Sequence, residues 1–178
     1  MQDDNKANGT QQTGRHMLLV AWIIALAMLS IFFSGILDKQ HNPNQQLEST
    51  INQQGVREVI LQRNRQGHYV TSGKINNLPV VFLLDTGATV VSVPENLAQR
   101  LGLKSGAATY TNTANGTIQT YATRLATISI GNIQLNDVAA HINPYMDGNE
   151  ILLGMSFLKN LELIQKGNTL TIRQPNYN

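Results

Sequence analysis

Apolar and polar positions divide this chain into three regimes. Residues 17–37 (MLLVAWIIALAMLSIFFSGIL) carry no charge and are interrupted only by Ser30, Ser34 and Gly35. As a helix such a run covers about 30 Å, the thickness of a bilayer's hydrocarbon core. It has no polar face, so it does not read as the amphipathic helix of a soluble domain. A cleaved signal peptide is the alternative, but its apolar stretch usually spans only about 7–15 residues and ends at a small-residue site. Ser34-Gly35-Ile36-Leu37 is a poor site of that kind, so a retained transmembrane helix behind a short tail, 1–16, is expected.

Residues 38–55 (DKQHNPNQQLESTINQQG) are rich in Asn and Gln, show no sustained apolar period and read as a flexible tether. Beyond them the pattern shortens into β-branched, partly alternating segments at 57–63, 68–75, 79–84, 89–93, 121–130, 134–142, 161–165 and 169–173. Turn residues separate these segments, among them Asn76-Asn77, Gly131-Asn132 and Lys166-Gly167-Asn168. Two stretches read as short helices, 94–101, opened by Pro94-Glu95 and closed by Gly102, and 155–160. The expectation is one mostly β domain over 56–175. A faint internal echo runs through it: strand, Gly73, turn, strand and special loop over 69–86, then a similar order with Gly131 over 127–154.

Composition narrows the chemistry. The chain has no cysteine, which excludes disulfides, thiolate metal sites and a cysteine nucleophile. Its net charge of +2 comes from 13 Lys+Arg against 11 Asp+Glu, scattered singly, so nucleic acid is not an expected partner. His16, His41, His68 and His141 stand apart, without metal-ligand spacing, and read as structural or solvent-facing; no metal or other cofactor is expected. Lys6, Arg15 and His16 precede the apolar span, and Lys39 beside Asp38 follows it. The positive-inside rule then puts the N-terminus in the cytoplasm and the β domain on the other side, the periplasm in a bacterium.

The most informative stretch is Val80-Val81-Phe82-Leu83-Leu84-Asp85-Thr86-Gly87-Ala88-Thr89, an apolar strand that ends abruptly in an acid, a threonine and a glycine. A second apolar strand and a helix follow, and Leu152-Leu153-Gly154 later precedes another short helix. LLDTGATVVSVPENLAQRLGL together with ILLGMSFL resembles the retropepsin-like aspartic peptidases, most of all their membrane-anchored bacterial branch. The resemblance implies folded-over β-sheets with one or two short helices, here behind one N-terminal transmembrane helix. It implies an aspartic endopeptidase acting on peptide or protein substrates, with Asp85, Thr86 and Gly87 as the catalytic loop and Ala88, Leu153 and Gly154 as its support.

Aspartic peptidases need two carboxylates a few ångströms apart that share one proton, so that one activates water while the other donates to the scissile carbonyl. The β region holds three aspartates, Asp85, Asp137 and Asp147, and Thr-Gly follows only the first. The resemblance therefore implies a homodimer in which each chain contributes Asp85. Ala88, where many relatives carry a hydroxyl residue, removes one donor to the carboxylate, and a mildly acidic optimum is expected. A substrate flap is expected over 110–121, with Asn115-Gly116 at its tip and Asn115, Gly116 and Thr117 against the substrate. Val91, Val93 and Ile151 are candidate pocket-lining residues. Ser156-Phe157-Leu158-Lys159 matches Ser-x-x-Lys of penicillin-binding enzymes, but the other elements of that machinery are absent. The competing reading is a non-catalytic module that keeps the fold and binds peptides or assembles an envelope complex.

Overall fold

The computed structural model describes residues 4–51, 55–113 and 116–175, with side chains from Arg15 onward. It divides into two compact units, Met1–Lys39 and Gln40–Asn178. The first is helical. Helix α1, Asp4–His41, begins inside the expected tail and runs past the end of the expected span. From Arg15 to Lys39 every side chain is exposed, Trp22, Ile23 and Phe32 among them. Within Arg15–His41 an 18-residue window reaches a mean hydropathy of 2.5, and the helix is long and apolar enough to cross a membrane.

The second unit is mostly β, as the alternating segments require. Strands β1 (Glu48–Ile51), β2 (Arg57–Gln62), β10 (Glu162–Lys166) and β11 (Thr169–Gln174) form a four-stranded antiparallel sheet in the order β1-β2-β11-β10. Across it Arg173 Nε donates to Glu58 Oε1 at 2.6 Å, between directly opposed positions. The larger sheet uses β3 (Val70–Ile75), β4 (Leu78–Leu84), β5 (Val91–Pro94), β6 (Ala108–Thr113), β7 (Gly116–Ile130), β8 (Ile133–Asn143) and β9 (Glu150–Leu153). Their order is β3-β4-β9-β5-β8-β7-β6, and an extra β3–β7 pairing folds the sheet over on itself. Helices α2 (Glu95–Arg100) and α3 (Met155–Leu158) follow β5 and β9. The core is aliphatic with two rings: Phe82 and Phe157 are fully buried among Leu61, Ile128, Ile151 and Leu153.

The internal echo has a counterpart in the pairing. β4 runs parallel to β9 and β5 runs parallel to β8, while β5 and β9 meet antiparallel at Ser92 and Leu152. Exchanging the halves β3-β4-β5-α2 and β7-β8-β9-α3 reproduces every one of these relations. Gly73 permits one close approach in this arrangement: a Cβ there would lie 2.4 Å from Ser129 O and 2.6 Å from the Phe82 ring.

The expected flexible tether over 38–55 is instead ordered through Ile51. α1 extends to His41, whose ring pairs with Glu150. Asn42 and Asn44 are buried, and β1 pairs with β2. Asn44 explains the difference. Its Nδ2 donates to Gln62 O (2.9 Å) and Val70 O (2.7 Å), and its Oδ1 accepts Gln62 N–H at 2.7 Å. A carboxamide doing a strand's hydrogen bonding leaves no hydrophobic trace in the sequence. β1 leaves none either, because all four of its residues are exposed at a sheet edge.

Candidate active site

Asp85 stands where β4 leaves the sheet. Its N–H donates to Leu153 O (3.2 Å), the last rung beside β9, and its carbonyl then accepts Ala88 N–H (3.3 Å) to close a tight turn. Gly87 N–H donates to Asp85 Oδ1 at 2.8 Å, so the loop's own backbone holds the carboxylate. The Asp85 side chain is half-buried, whereas Thr86 and Gly87 are exposed. A Cβ at Gly87 would crowd the carboxylate at 3.1 Å from Oδ1.

The loop rests on the β9–α3 junction. Met155 N–H donates to Ala88 O (2.8 Å) and Ser156 N–H to Thr89 O (3.0 Å). Gly154 makes this approach possible: a Cβ there would meet Val90 O at 2.3 Å and Ala88 O at 2.7 Å. Ser156 Oγ accepts Val91 N–H (3.0 Å) and donates to Ala139 O (2.8 Å), tying β5 and β8 to α3. The serine of the Ser-x-x-Lys match is thus occupied in holding strands together. Leu153 is fully buried beneath the loop.

Asp85, Gly87 and Ala88 open into a groove of about 590 Å³. Its floor comes from the outward-facing residues of three strands: Val90 and Ser92 on the β5 side, Leu152 of β9, and His141 and Asn143 of β8. The expected lining residues Val91, Val93 and Ile151 are fully buried in the core. Side chains alternate along a strand, and the run Val90-Val91-Ser92-Val93 does not by itself reveal which phase faces inward. Strand β6 forms the wall through Tyr110, Thr111, Asn112 and Thr113, joined by buried Thr120 of β7.

The expected flap hairpin is present as β6–β7, but its register differs from the expected one. Gly116 pairs with Thr113 and opens β7, so it is not a loop residue; Asn115 lies outside the described residues. Gly116 and Thr117 are exposed and hydrogen-bond across the hairpin, Thr117 Oγ1 donating to Asn112 Oδ1 (2.8 Å) and Gly116 O accepting from Thr113 Oγ1 (2.8 Å). Neither belongs to the groove lining.

Sequence reasoning missed His141. Its Nδ1 lies 3.3 Å from Thr111 Oγ1 and 3.3 Å from Thr120 Oγ1, and the two hydroxyls are 2.9 Å apart. Burial pulls the imidazole below its ordinary range, towards the neutral form. The usable signal was its place in β8, two residues before Asn143 and in phase with it.

Asn143 completes the geometry. Leu84 lies opposite Leu153 just as Ile142 lies opposite Val93 across the exchanged strands, so Asp85 and Asn143 are equivalent positions. They even share a local turn: Asn143 Oδ1 accepts Tyr145 N–H at 3.0 Å, as Asp85 Oδ1 accepts Gly87 N–H. The internal repeat therefore sets an amide, Asn143, at the position equivalent to the acid Asp85. Among the described residues Asp85 is the one carboxylate lining the groove. Asp137 is fully exposed and paired with Arg124, whose hydrogen bond holds that carboxyl below its ordinary range. Asp147 is exposed in the β8–β9 loop. No cluster of metal-ligating side chains occurs among the described residues.

Residues 71–160, which include Asp85 and Gly154, match the family described as "gag-polyprotein putative aspartyl protease". An uncharacterised protein from the cobV 5′ region of a Sinorhizobium species is 33% identical over 115 residues, 63% of this chain and 49% of that protein. An uncharacterised protein of Rickettsia prowazekii (strain Madrid E) is 32% identical over 108 residues, 58% of this chain and 46% of that protein. The chain thus spans about half the length of the curated relatives it matches. Among solved structures, the crystal structure of a retropepsin-like aspartic protease from Rickettsia conorii is similar with a TM-score of 0.57 and 28% identity. The match covers 72% of this chain and 95% of that one.

Proposed function

The chain belongs to the retropepsin-like aspartic protease family, and from that premise we propose that it is a membrane-anchored endopeptidase whose working unit is a homodimer. The observation that carries the proposal is the pairing of Asp85 with Asn143: one acid and one amide at equivalent positions of a single chain. Water activation between carboxylates needs two acids, and a second copy of the chain is the source of the other.

In the dimer two Asp85 side chains share a proton across the symmetry axis. The ionised one takes a proton from a water bound between them, and that water attacks the scissile carbonyl carbon. The protonated one donates to the carbonyl oxygen. Collapse of the tetrahedral intermediate breaks the C–N bond, and the proton taken from water passes to the departing amine. Each Gly87 N–H, aimed at Oδ1, keeps its carboxylate oriented for this exchange. In this reading Thr86, exposed beside Asp85, binds the partner loop, and the β6–β7 hairpin closes over an extended peptide as the flap.

The apolar stretch of α1 supports anchoring, because in water its exposed Trp22, Ile23 and Phe32 would remain unburied at about 25 cal/mol per Å². The charge asymmetry around it favours a non-cytoplasmic catalytic domain. Confinement to one bilayer raises the effective concentration of the two copies and favours pairing.

Asp85→Asn in the full chain tests the proposal. Cleavage of a mixed peptide library near pH 5 should drop by at least about a hundredfold, and a statine-type transition-state mimic should block the wild type. Binding of peptides without cleavage by a demonstrated dimer would instead favour the non-catalytic module.

A further inference from the structure

Resting on the peptidase reading, we infer that the groove beside Asp85 contains a polar specificity pocket, with His141 as its reading group, that selects a substrate residue carrying a carboxamide, asparagine or glutamine. The two arms of the β6–β7 hairpin and strand β8 build it. Thr111 on β6, Thr120 on β7 and His141 on β8 converge so that both threonine hydroxyls reach Nδ1 at 3.3 Å and touch each other at 2.9 Å. Thr120 is 1% exposed, so its hydroxyl is spent on this cluster and not on water.

With one threonine hydroxyl donating to the other and that one to Nδ1, the neutral imidazole carries its proton on Nε2. Nε2 has no hydrogen-bond partner among the described residues, and His141 lines the groove. Two more donors share that surface. Ser92 stands directly opposite His141 on β5, its hydroxyl without a partner among the described residues. Asn143 uses Oδ1 on Tyr145 N–H, which leaves its Nδ2 to a ligand.

Three donors on one groove surface call for an acceptor, and the electrostatics decide which one. Asp85 lines the same groove, so a substrate carboxylate would face a negative charge, while burial keeps His141 from offsetting it. A carboxamide oxygen accepts from Nε2–H and Ser92 Oγ–H without that penalty, and its NH₂ can donate onward. An aliphatic residue of the same size would strand the donors without partners, the situation that makes such sites selective.

The test uses the full chain carrying Asp85→Asn in detergent micelles, so that binding is read apart from turnover. Peptides on an alanine–valine background carry one glutamine, or its near-isosteres methionine and glutamate, at each position in turn. At one position glutamine should bind about tenfold tighter than methionine, with a shift of the His141 ring nitrogen signals, and glutamate, given as an uncleavable reduced-amide peptide, should bind more weakly to the chain with Asp85 intact than to this variant. A further His141→Leu change should erase the preference. Ser92→Ala, a smaller perturbation, should reduce it. Equal binding of glutamine and methionine at every position, or an unmoved His141 ring, would overturn the pocket. If the wild type cleaves peptides but His141→Leu keeps the same sequence preference, the pocket fails and the peptidase stands. If the preference holds in binding and the wild type cleaves nothing, the peptidase reading fails and the pocket stands.

Discussion

At the scale of single residues, the loop at Asp85 and the wall at His141 differ in how their geometry is encoded. Asp85, Gly87 and Gly154 were legible because each is tied to a local cue: a strand ending in an acid, a backbone N–H two residues on, and an apolar pair before a glycine whose missing Cβ admits Ala88 O and Val90 O. His141 and Ser92 were not, because nothing local distinguishes the groove phase of β5 and β8 from the core phase. The same ambiguity put Val91, Val93 and Ile151 on the wrong side of their strands. His141 also makes a prediction about stability. Its folded form prefers the neutral imidazole, so as pH falls below about 6.5 the unfolded chain takes up the proton first. This contribution is complete above that value and is lost as pH drops through the lower folded pKa. Chemical denaturation of wild type and His141→Gln between about pH 7.5 and 5, a window that spans the ordinary histidine value, should show a shallower decline in the variant. Parallel declines would remove His141 from the account.

Among the elements, those facing the core announced themselves and those at the margins did not. β8 from Val138 onward and β11 bury alternate residues, β4 buries Phe82 in an apolar run, and all three appear in the sequence nearly as they stand in the sheet. β1 buries none of its side chains, and the ordered stretch before it is held by asparagine amides, so both read as tether. The hairpin β6–β7 was recognisable, but Gly116 pairs with Thr113 and opens β7 instead of sitting in the turn. The pre-β1 segment is accordingly part of the fold and not a spacer. Replacing Asn44 by alanine strands Val70 O and the backbone N–H and C=O of Gln62. It should cost about 2–3 kcal/mol in urea denaturation, two to three backbone-directed hydrogen bonds near a buried site. A loss below about 0.5 kcal/mol, the range of ordinary surface changes, would mean that the segment is dispensable.

For the whole molecule, the internal two-fold relation of β4-β9 to β8-β5 is what makes the missing acid meaningful. The sequence shows only that Thr-Gly follows a single aspartate; the strand pairing adds that the equivalent position is occupied by Asn143 in a matching turn. On the proposed peptidase mechanism, the second acid then comes from a second chain. The most direct measurement mixes wild type and Asp85→Asn at constant total concentration, allows subunits to exchange, and follows peptide cleavage against the wild-type fraction. If two chains share one site, activity falls as the square of that fraction, and at equal amounts only about a quarter remains, from the randomly formed pairs with both acids. A linear fall, with half the activity left at equal amounts, would mean that each chain works alone and would contradict the shared site.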